Sequence, residues 1–364
     1  MSPYQYQQNW TIVPNYLFQG SRFFNVQNLF SPDFHWSSTR GINGSLALGF
    51  FHDHVVIEAT AYAKGTNDQL ININLPTQTG FLNVVDNAPY SVQNTGWEIS
   101  VHGSPFTFGS GRHPFIWTPP SFNMSRNYNK ISNVTPNSPY AGIYVKGQSA
   151  TAQPFVKSAG VDPATGLFQY YKADGKTLTS APNTNSSLLS KNPGDANQWI
   201  NIGVPSISFG LGNSFSWNGI NLSFSGQYVR QIGYNYLNTL YGGGFYPGSP
   251  NLNQPAVILG KQWQKPGDVK PIQGFFEGNL PGSSVTSSTA AVSPANYLRI
   301  NNLSVSYTVP PAIIRRLGLS SLQVGVNCQN PLTITSYKVG DPQTMTYTNI
   351  PPQRVISGNI TLSF

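Results

Sequence analysis

From Ser206 to Ile232 the chain alternates between large apolar side chains and small polar ones, and this period of two limits what the rest can fold into. In Ser206-Ile-Ser-Phe-Gly-Leu-Gly-Asn-Ser-Phe-Ser-Trp217 the apolar residues Ile207, Phe209, Leu211, Phe215 and Trp217 occupy odd positions. After Asn218-Gly219 they move to even positions: Ile220, Leu222, Phe224 and Tyr228. A two-residue type I′ turn accounts for the change, because it sets Trp217 opposite Ile220 and Phe215 opposite Leu222. One face of the hairpin is then apolar across both strands. The other carries Ser214, Ser216, Asn221, Ser223, Ser225 and Gln227, which suit a wet interior better than a dry core. Each strand runs to about 12 residues, twice the usual length in soluble sheets and enough for a tilted strand to cross a bilayer. The hairpin predicts a membrane β-barrel.

Composition points the same way. Only 9% of residues are charged and 13% are aromatic, whereas soluble domains carry about 25% charge; a barrel wall facing lipid must lack it. The net charge of +8 is scattered, with Arg315-Arg316 the only adjacent basic pair, so nucleic acid is not an expected partner. One cysteine, Cys328, rules out an internal disulfide and a cysteine-cluster metal site. No apolar run reaches the length of a transmembrane helix. Met1-Ser-Pro-Tyr-Gln-Tyr lacks the basic start and apolar segment of a signal peptide, so the chain is expected to be part of a longer exported one.

Residues 1–41 form a weakly patterned lead-in, in which Trp10-Thr-Ile-Val-Pro reads as the end of a strand. Strands follow from Ile42 to Phe50, from Val55, from Val92 to Val101 and from Phe115 to Tyr128. The last changes apolar parity at Pro119-Pro120, where two missing ladder donors predict a bulge or a break. Beyond the central hairpin, strands run from Tyr297 to Thr308, Leu322 to Asn330 and Gln353 to Phe364. Pro311 and Gly318 bracket one or two helical turns between the first two of these. Short connections near 52, 105–114, 218 and 309–320 alternate with long ones at 65–91, 130–205, 233–295 and 331–352. Outer-membrane barrels keep short turns in the periplasm and long loops outside. The expected fold is therefore all-β: nine or ten strands of a partial transmembrane antiparallel up-and-down barrel spanning residues 42–364, with short periplasmic turns and long extracellular loops.

Five stretches, in order, resemble the C-terminal region of the SusC/RagA family of TonB-dependent outer-membrane transporters. They are Ser31-Pro-Asp-Phe-His-Trp36, Gly49-Phe-Phe-His-Asp-His54, Val92-Gln-Asn-Thr-Gly-Trp-Glu98, Val204-Pro-Ser-Ile-Ser-Phe-Gly210 leading to Phe215-Ser-Trp-Asn-Gly219, and Tyr297-Leu-Arg-Ile-Asn-Asn-Leu-Ser-Val-Ser-Tyr307 through Leu317-Gly-Leu-Ser-Ser321 and Gln329-Asn330 to the terminal Phe364. The resemblance implies part of a barrel of about 22 strands in the bacterial outer membrane. It also implies an N-terminal plug and barrel half with no counterpart here, contact with TonB only through that region, and a SusD-like lipoprotein lid. Oligosaccharides or peptides would be the substrates, with no cofactor.

Several residues are candidates for specific roles. Phe364, with Leu362, Ile360 and Ile356 at alternate positions, resembles the C-terminal signal for barrel assembly. Arg126 and Arg230 interrupt the outward apolar parity about 12 residues beyond a periplasmic turn, roughly 28 Å up at the usual rise and tilt. At that height a guanidinium meets lipopolysaccharide phosphates; a register shift would instead turn it inward. Phe168, Tyr170, Tyr171, Tyr241, Phe245, Tyr246 and Trp263 in the long loops are candidate stacking platforms for substrate, with packing of the loops themselves as the alternative.

An enzyme is the competing class, and its signals are weak. His52-Asp53-His54 is a tight turn without a third ligand. Gly210-Leu-Gly212 lacks the third glycine of a dinucleotide fingerprint, and no Gly-x-Ser-x-Gly nucleophile elbow occurs. Asp162 and Asp174 share a loop and could act as the carboxylate pair of a glycoside hydrolase, but that loop does not fix their separation. A soluble β-sandwich adhesin or glycan-binding module would need charged outer faces, which these strands lack.

Overall fold

The computed structural model describes residues 7–27, 29, 31, 33–111, 114–135, 144–184, 194–242, 256–275, 283–315, 318–338, 340–345 and 349–364. Nine long strands carry the fold: β1 Ser38–Phe50, β2 Val55–Asn67, β3 Tyr90–His102, β4 Phe115–Val134, β5 Ile207–Trp217, β6 Ile220–Arg230, β7 Tyr297–Thr308, β8 Ser321–Thr335 and β9 Val355–Ser363. They form one open sheet in chain order from β1 to β9, and a short strand Phe106–Phe108 pairs with β4. β1 and β9 end the sheet, and every residue of both is exposed.

The central hairpin has the expected register, with Trp217 opposite Ile220 and Phe215 opposite Leu222. Its turn residues Asn218 and Gly219 have φ of 50° and 81°, as a type I′ turn requires. A side chain at residue 219 would also bring its Cβ within 2.6 Å of the Thr308 carbonyl oxygen. At Pro119-Pro120 the strand bulges rather than breaks. Gly212 pairs with Ser121 and Ser214 with Thr118, so Asn213 alone spans both prolines. The extra residue puts Trp117 and Phe122 on one face despite their opposite parity. On the β5 side neither proline has a ladder partner, which suits residues that lack an N–H.

A second bulge was not expected. Across β6 and β7, Ser225 pairs with Asn302 but Gly226 with Ile300, leaving Asn301 extra. Its neighbour Asn330 on β8 takes φ of 50°, and the β7–β8 register slips at the same level. Past these bulges the ladder resumes, so β8 continues to Thr335 and β4 to Val134, beyond the expected loop starts at 331 and 130.

By compactness the chain divides into two units: Met1–Ile42, Ala63–Thr95 and Asn129–Ala150 in the first, and Asn43–Tyr62, Gly96–Tyr128 and Thr151–Phe364 in the second. Within the first, the weakly patterned residues 1–41 contain a hairpin. Trp10–Phe18 pairs with Ser21–Val26 through Gln19-Gly20, whose φ values are 51° and 79°. A register shift between Ile12 and Leu17 breaks the period of two, which hid the hairpin from alternation. The same unit contains the hairpin Leu70–Asn74 with Asn83–Asn87 and a small core of Ala88, Tyr90, Val92 and Ile131.

In the second unit the dry core is not on the strands. Val156, Phe168, Tyr170, Ala196, Leu237, Leu240, Ile258, Ile272 and Val285 form it, all from the segments joining β4 to β5 and β6 to β7. Phe155 pairs with Gln198, the helix Tyr236–Gly242 contributes Leu237 and Leu240, and Ile232–Tyr234 pairs with Val292–Pro294. The apolar sides of the strands instead lie bare: Leu303, Val305, Val326 and Ile360 are all exposed. Such a face needs an apolar surrounding.

Candidate functional site

The polar face follows from the same alternation. Pairing across β5 to β9 places Ser214, Ser223, Ser304, Asn327 and Ser357 in one row and Ser216, Asn221, Ser306, Gly325 and Asn359 in the next. Hydrogen bonds tie neighbours together, Ser125 with Ser208 at 3.3 Å and Gln323 Nε2 donating to Ser306 Oγ at 3.1 Å. Hydroxyls and amides donate and accept alike, so this wall offers hydrogen bonds to neutral polar solutes without fixed charge.

One patch on the same face is acidic. Glu58 on β2 and Glu98 on β3, with Thr60, Ser100, Asn123 and Ser125, line a cavity of about 350 Å³. Ser100 Oγ donates to Glu58 Oε2 at 3.4 Å. The sequence alone showed Glu98 opposite Trp97 but not its companion, because Glu58 lies 40 residues away on a separate strand.

Near the loop end, Arg299 on β7 is buried and ion-pairs with buried Asp341. Its Nε donates to Thr333 Oγ1 at 3.1 Å and its Nη1 to Gln343 Oε1 at 2.9 Å. Gln231 Nε2 donates to the Pro342 carbonyl at 2.9 Å, and Tyr337 Oη donates to the Tyr234 carbonyl. Together these bonds tie Tyr337 and residues 341–343 to β7 and to the residues that follow β6.

The loop aromatics are packed among themselves. Phe168 and Tyr170 are buried, and Tyr241 meets Phe168 edge-on at 6.0 Å. Burial pushes the Tyr170 and Tyr241 phenols above their ordinary range. Tyr171 lies under Lys157 Nζ at 4.9 Å. Trp263 Nε1 donates to the Pro163 carbonyl at 2.9 Å. A Cβ at Gly166 would sit 2.4 Å from the Trp263 ring, in a φ of 73° that already favours glycine. Phe245 and Tyr246 fall outside the described residues. The Tyr170 hydroxyl is buried with no hydrogen-bond partner among the described residues. Tyr170→Phe is therefore expected to leave thermal stability unchanged or raise it by up to about 1 kcal/mol. A loss larger than that in detergent unfolding would reveal a partner for the hydroxyl.

The weaker enzyme signals resolve into turn chemistry. Asp162 accepts from Ala164 N at 2.9 Å and Thr165 Oγ1 at 2.8 Å, and Asp174 from Lys176 N at 2.8 Å and Thr177 N at 2.9 Å. For Asp162 the backbone bond, and for Asp174 the Thr177 hydroxyl, leads the causes that hold the carboxyl below its usual range. Both stay ionised at neutral pH and serve their own turns. Phe51, His52 and Asp53 all have positive φ, and His54 stacks on Phe106 at 4.8 Å and bonds Ser104 Oγ at 3.1 Å through Nδ1.

Arg126 and Arg230 share the apolar face. Met124 pairs with Phe209 and Arg126 follows two residues later; Ile207 pairs with Arg230 and Phe209 with Tyr228. The Arg126 guanidinium lies 4.5 Å from the Tyr128 ring centre. Phe364 follows β9 and is 90% exposed.

Comparison with known proteins places this two-faced sheet. No protein-family model matches the chain. TonB-dependent receptor P39 of Formosa agariphila is 24% identical over 389 residues, covering 90% of this chain and 35% of that protein. TonB-dependent receptor SusC of Bacteroides thetaiotaomicron is 23% identical, covering 86% and 30%. The chain is a relative of the TonB-dependent receptors. Two solved structures match its fold, the RagAB peptide transporter (TM-score 0.73, 23% identity) and the RagAB peptide importer in the open-open state (TM-score 0.74, 23% identity). They cover 99% and 100% of this chain but 39% and 38% of their own. The sheet thus shares the fold of part of those structures, and the chain spans about a third of the length of the curated relatives it matches.

Proposed function

We propose that the chain supplies the C-terminal wall of a TonB-dependent importer in the bacterial outer membrane. The observation that carries this reading is the uncovered apolar face of an open sheet whose other face is hydroxyl- and amide-lined. Hydrocarbon against the first face and water against the second satisfy both. The edge strands β1 and β9 present unpaired amides that lipid cannot satisfy, so further strands and a plug complete the barrel. TonB acts through that other part. Oligosaccharides or peptides pass along the polar wall, whose hydrogen-bonding groups suit either, and a SusD-like lipoprotein closes over the long loops. Tyr171, Tyr241 and Trp263 keep partial exposure and are the loop aromatics best placed for substrate; Phe168 and Tyr170 would reach it only after the loops opened. Phe364 serves as the assembly signal.

In planar bilayers the chain alone is expected to give no stable single-channel conductance, whereas a steady unitary current would overturn the open-wall reading. In an outer-membrane assembly assay of the complete protein, deleting Phe364 is expected to abolish the heat-modifiable folded band. Unchanged insertion removes Phe364 from that role.

A further inference from the structure

The apolar face ends, on the loop side, in a feature its lipid contact does not explain. Arg126 on β4 and Arg230 on β6 flank Ile207 on β5, one strand apart on each side, one row beyond Met124, Phe209 and Tyr228. Strand spacing sets the two arginine backbones about 10 Å apart, a span that two arginine side chains close over an isoleucine. Arg230 is exposed, and Arg126 is half-buried with its Nε shielded from solvent. Neither has a carboxylate partner among the described residues. The Tyr128 ring, 4.5 Å from the Arg126 guanidinium, restrains its planar fork. At the opposite, short-turn end the same face closes with the aromatic residues Trp217, Phe115, Phe106 and Trp117. Along β5 the two ends lie about 25 Å apart at the usual rise and tilt, the height of a barrel's apolar band.

We infer that Arg126 and Arg230 form a site for a phosphate group of an outer-leaflet glycolipid. An arginine fork matches two phosphate oxygens at once, and a phosphate between two such forks neutralises both charges in a region where water is scarce. Charge complementarity selects the occupant: two unpaired guanidiniums at the hydrocarbon boundary need an anion, and the anion that accompanies acyl chains there is a lipid phosphate. The inference rests on the proposed membrane placement of the apolar face.

Native mass spectrometry of the protein purified from outer membranes tests it. The wild type is expected to carry phosphorylated glycolipid, and R126Q/R230Q to lose it by about tenfold or more, from two charge-assisted contacts. Arg126→Lys with Arg230→Lys keeps the charges but not the forks and is expected to fall between the two. In nanodiscs doped with the glycolipid, removing its phosphate is expected to mimic the Gln variant, and inorganic phosphate alone is expected not to displace the lipid. Equal retention by a correctly folded R126Q/R230Q protein, equal retention of the dephosphorylated lipid, or displacement by inorganic phosphate overturns the site. Failure of the wild type to associate with lipid at all overturns the membrane placement as well, which separates the two.

Discussion

Asp341→Ala is expected to destabilise the segment after β8 by about 3–5 kcal/mol, because it strands a buried guanidinium without its counter-ion. Arg299 is 3% exposed and Asp341 7%. Thr333 and Gln343 satisfy two more of the guanidinium's donors but bring no negative charge. Adding Arg299→Met to Asp341→Ala should recover much of the loss, since an apolar side chain of similar length needs no counter-ion. Limited proteolysis of the 331–352 segment, with unfolding in detergent, reads the effect. A change below about 1 kcal/mol for Asp341→Ala would mean that water already reaches Arg299.

The second large effect separates the two faces of one strand. Leu303 and Ser304 are neighbours near the middle of β7; Leu303 sits between Phe224 and Cys328, and Ser304 between Ser223 and Asn327. Leu303→Arg is expected to cost about 2–4 kcal/mol for a charge near the bilayer midplane, while Ser304→Arg costs little because its side meets water. Folding titrations into lipid vesicles measure both. Equal effects, or a larger one at Ser304, would contradict the assignment of the faces, and with it the importer reading.

Much of the fold was legible because it is local. Alternation at Phe209, Leu211, Phe215 and Trp217 names a face without knowledge of any partner strand, and Asn218-Gly219 names the turn that closes the hairpin. The double proline at 119–120 announced its own bulge by removing two donors. The bulge at Asn301 carried no such mark. Counted back from Leu303 and Val305, Arg299 falls on the apolar side; the extra residue moves it to the polar side, where Asp341 waits. The Trp10–Val26 hairpin was missed for a related reason, since its register shift erased the period.

The candidate site divides along the same line. The hydroxyl and amide rows could be read off the sequence, because each residue's face depends only on its place in its own strand. The loop core could not: Tyr170, Leu240 and Ile272 come from three separate segments with no period to relate them. Their meeting consumed aromatics that composition alone offered as stacking platforms. Glu58 with Glu98, and Arg126 with Arg230, likewise became neighbours only through strand pairing. By itself, then, the sequence determined that the chain is a two-faced antiparallel wall with short turns on one rim and long loops on the other, since backbone pleat and turn stereochemistry act over a few residues. Tertiary structure decided which distant side chains share a space, because register, bulges and loop packing are settled by contacts between residues tens to hundreds of positions apart.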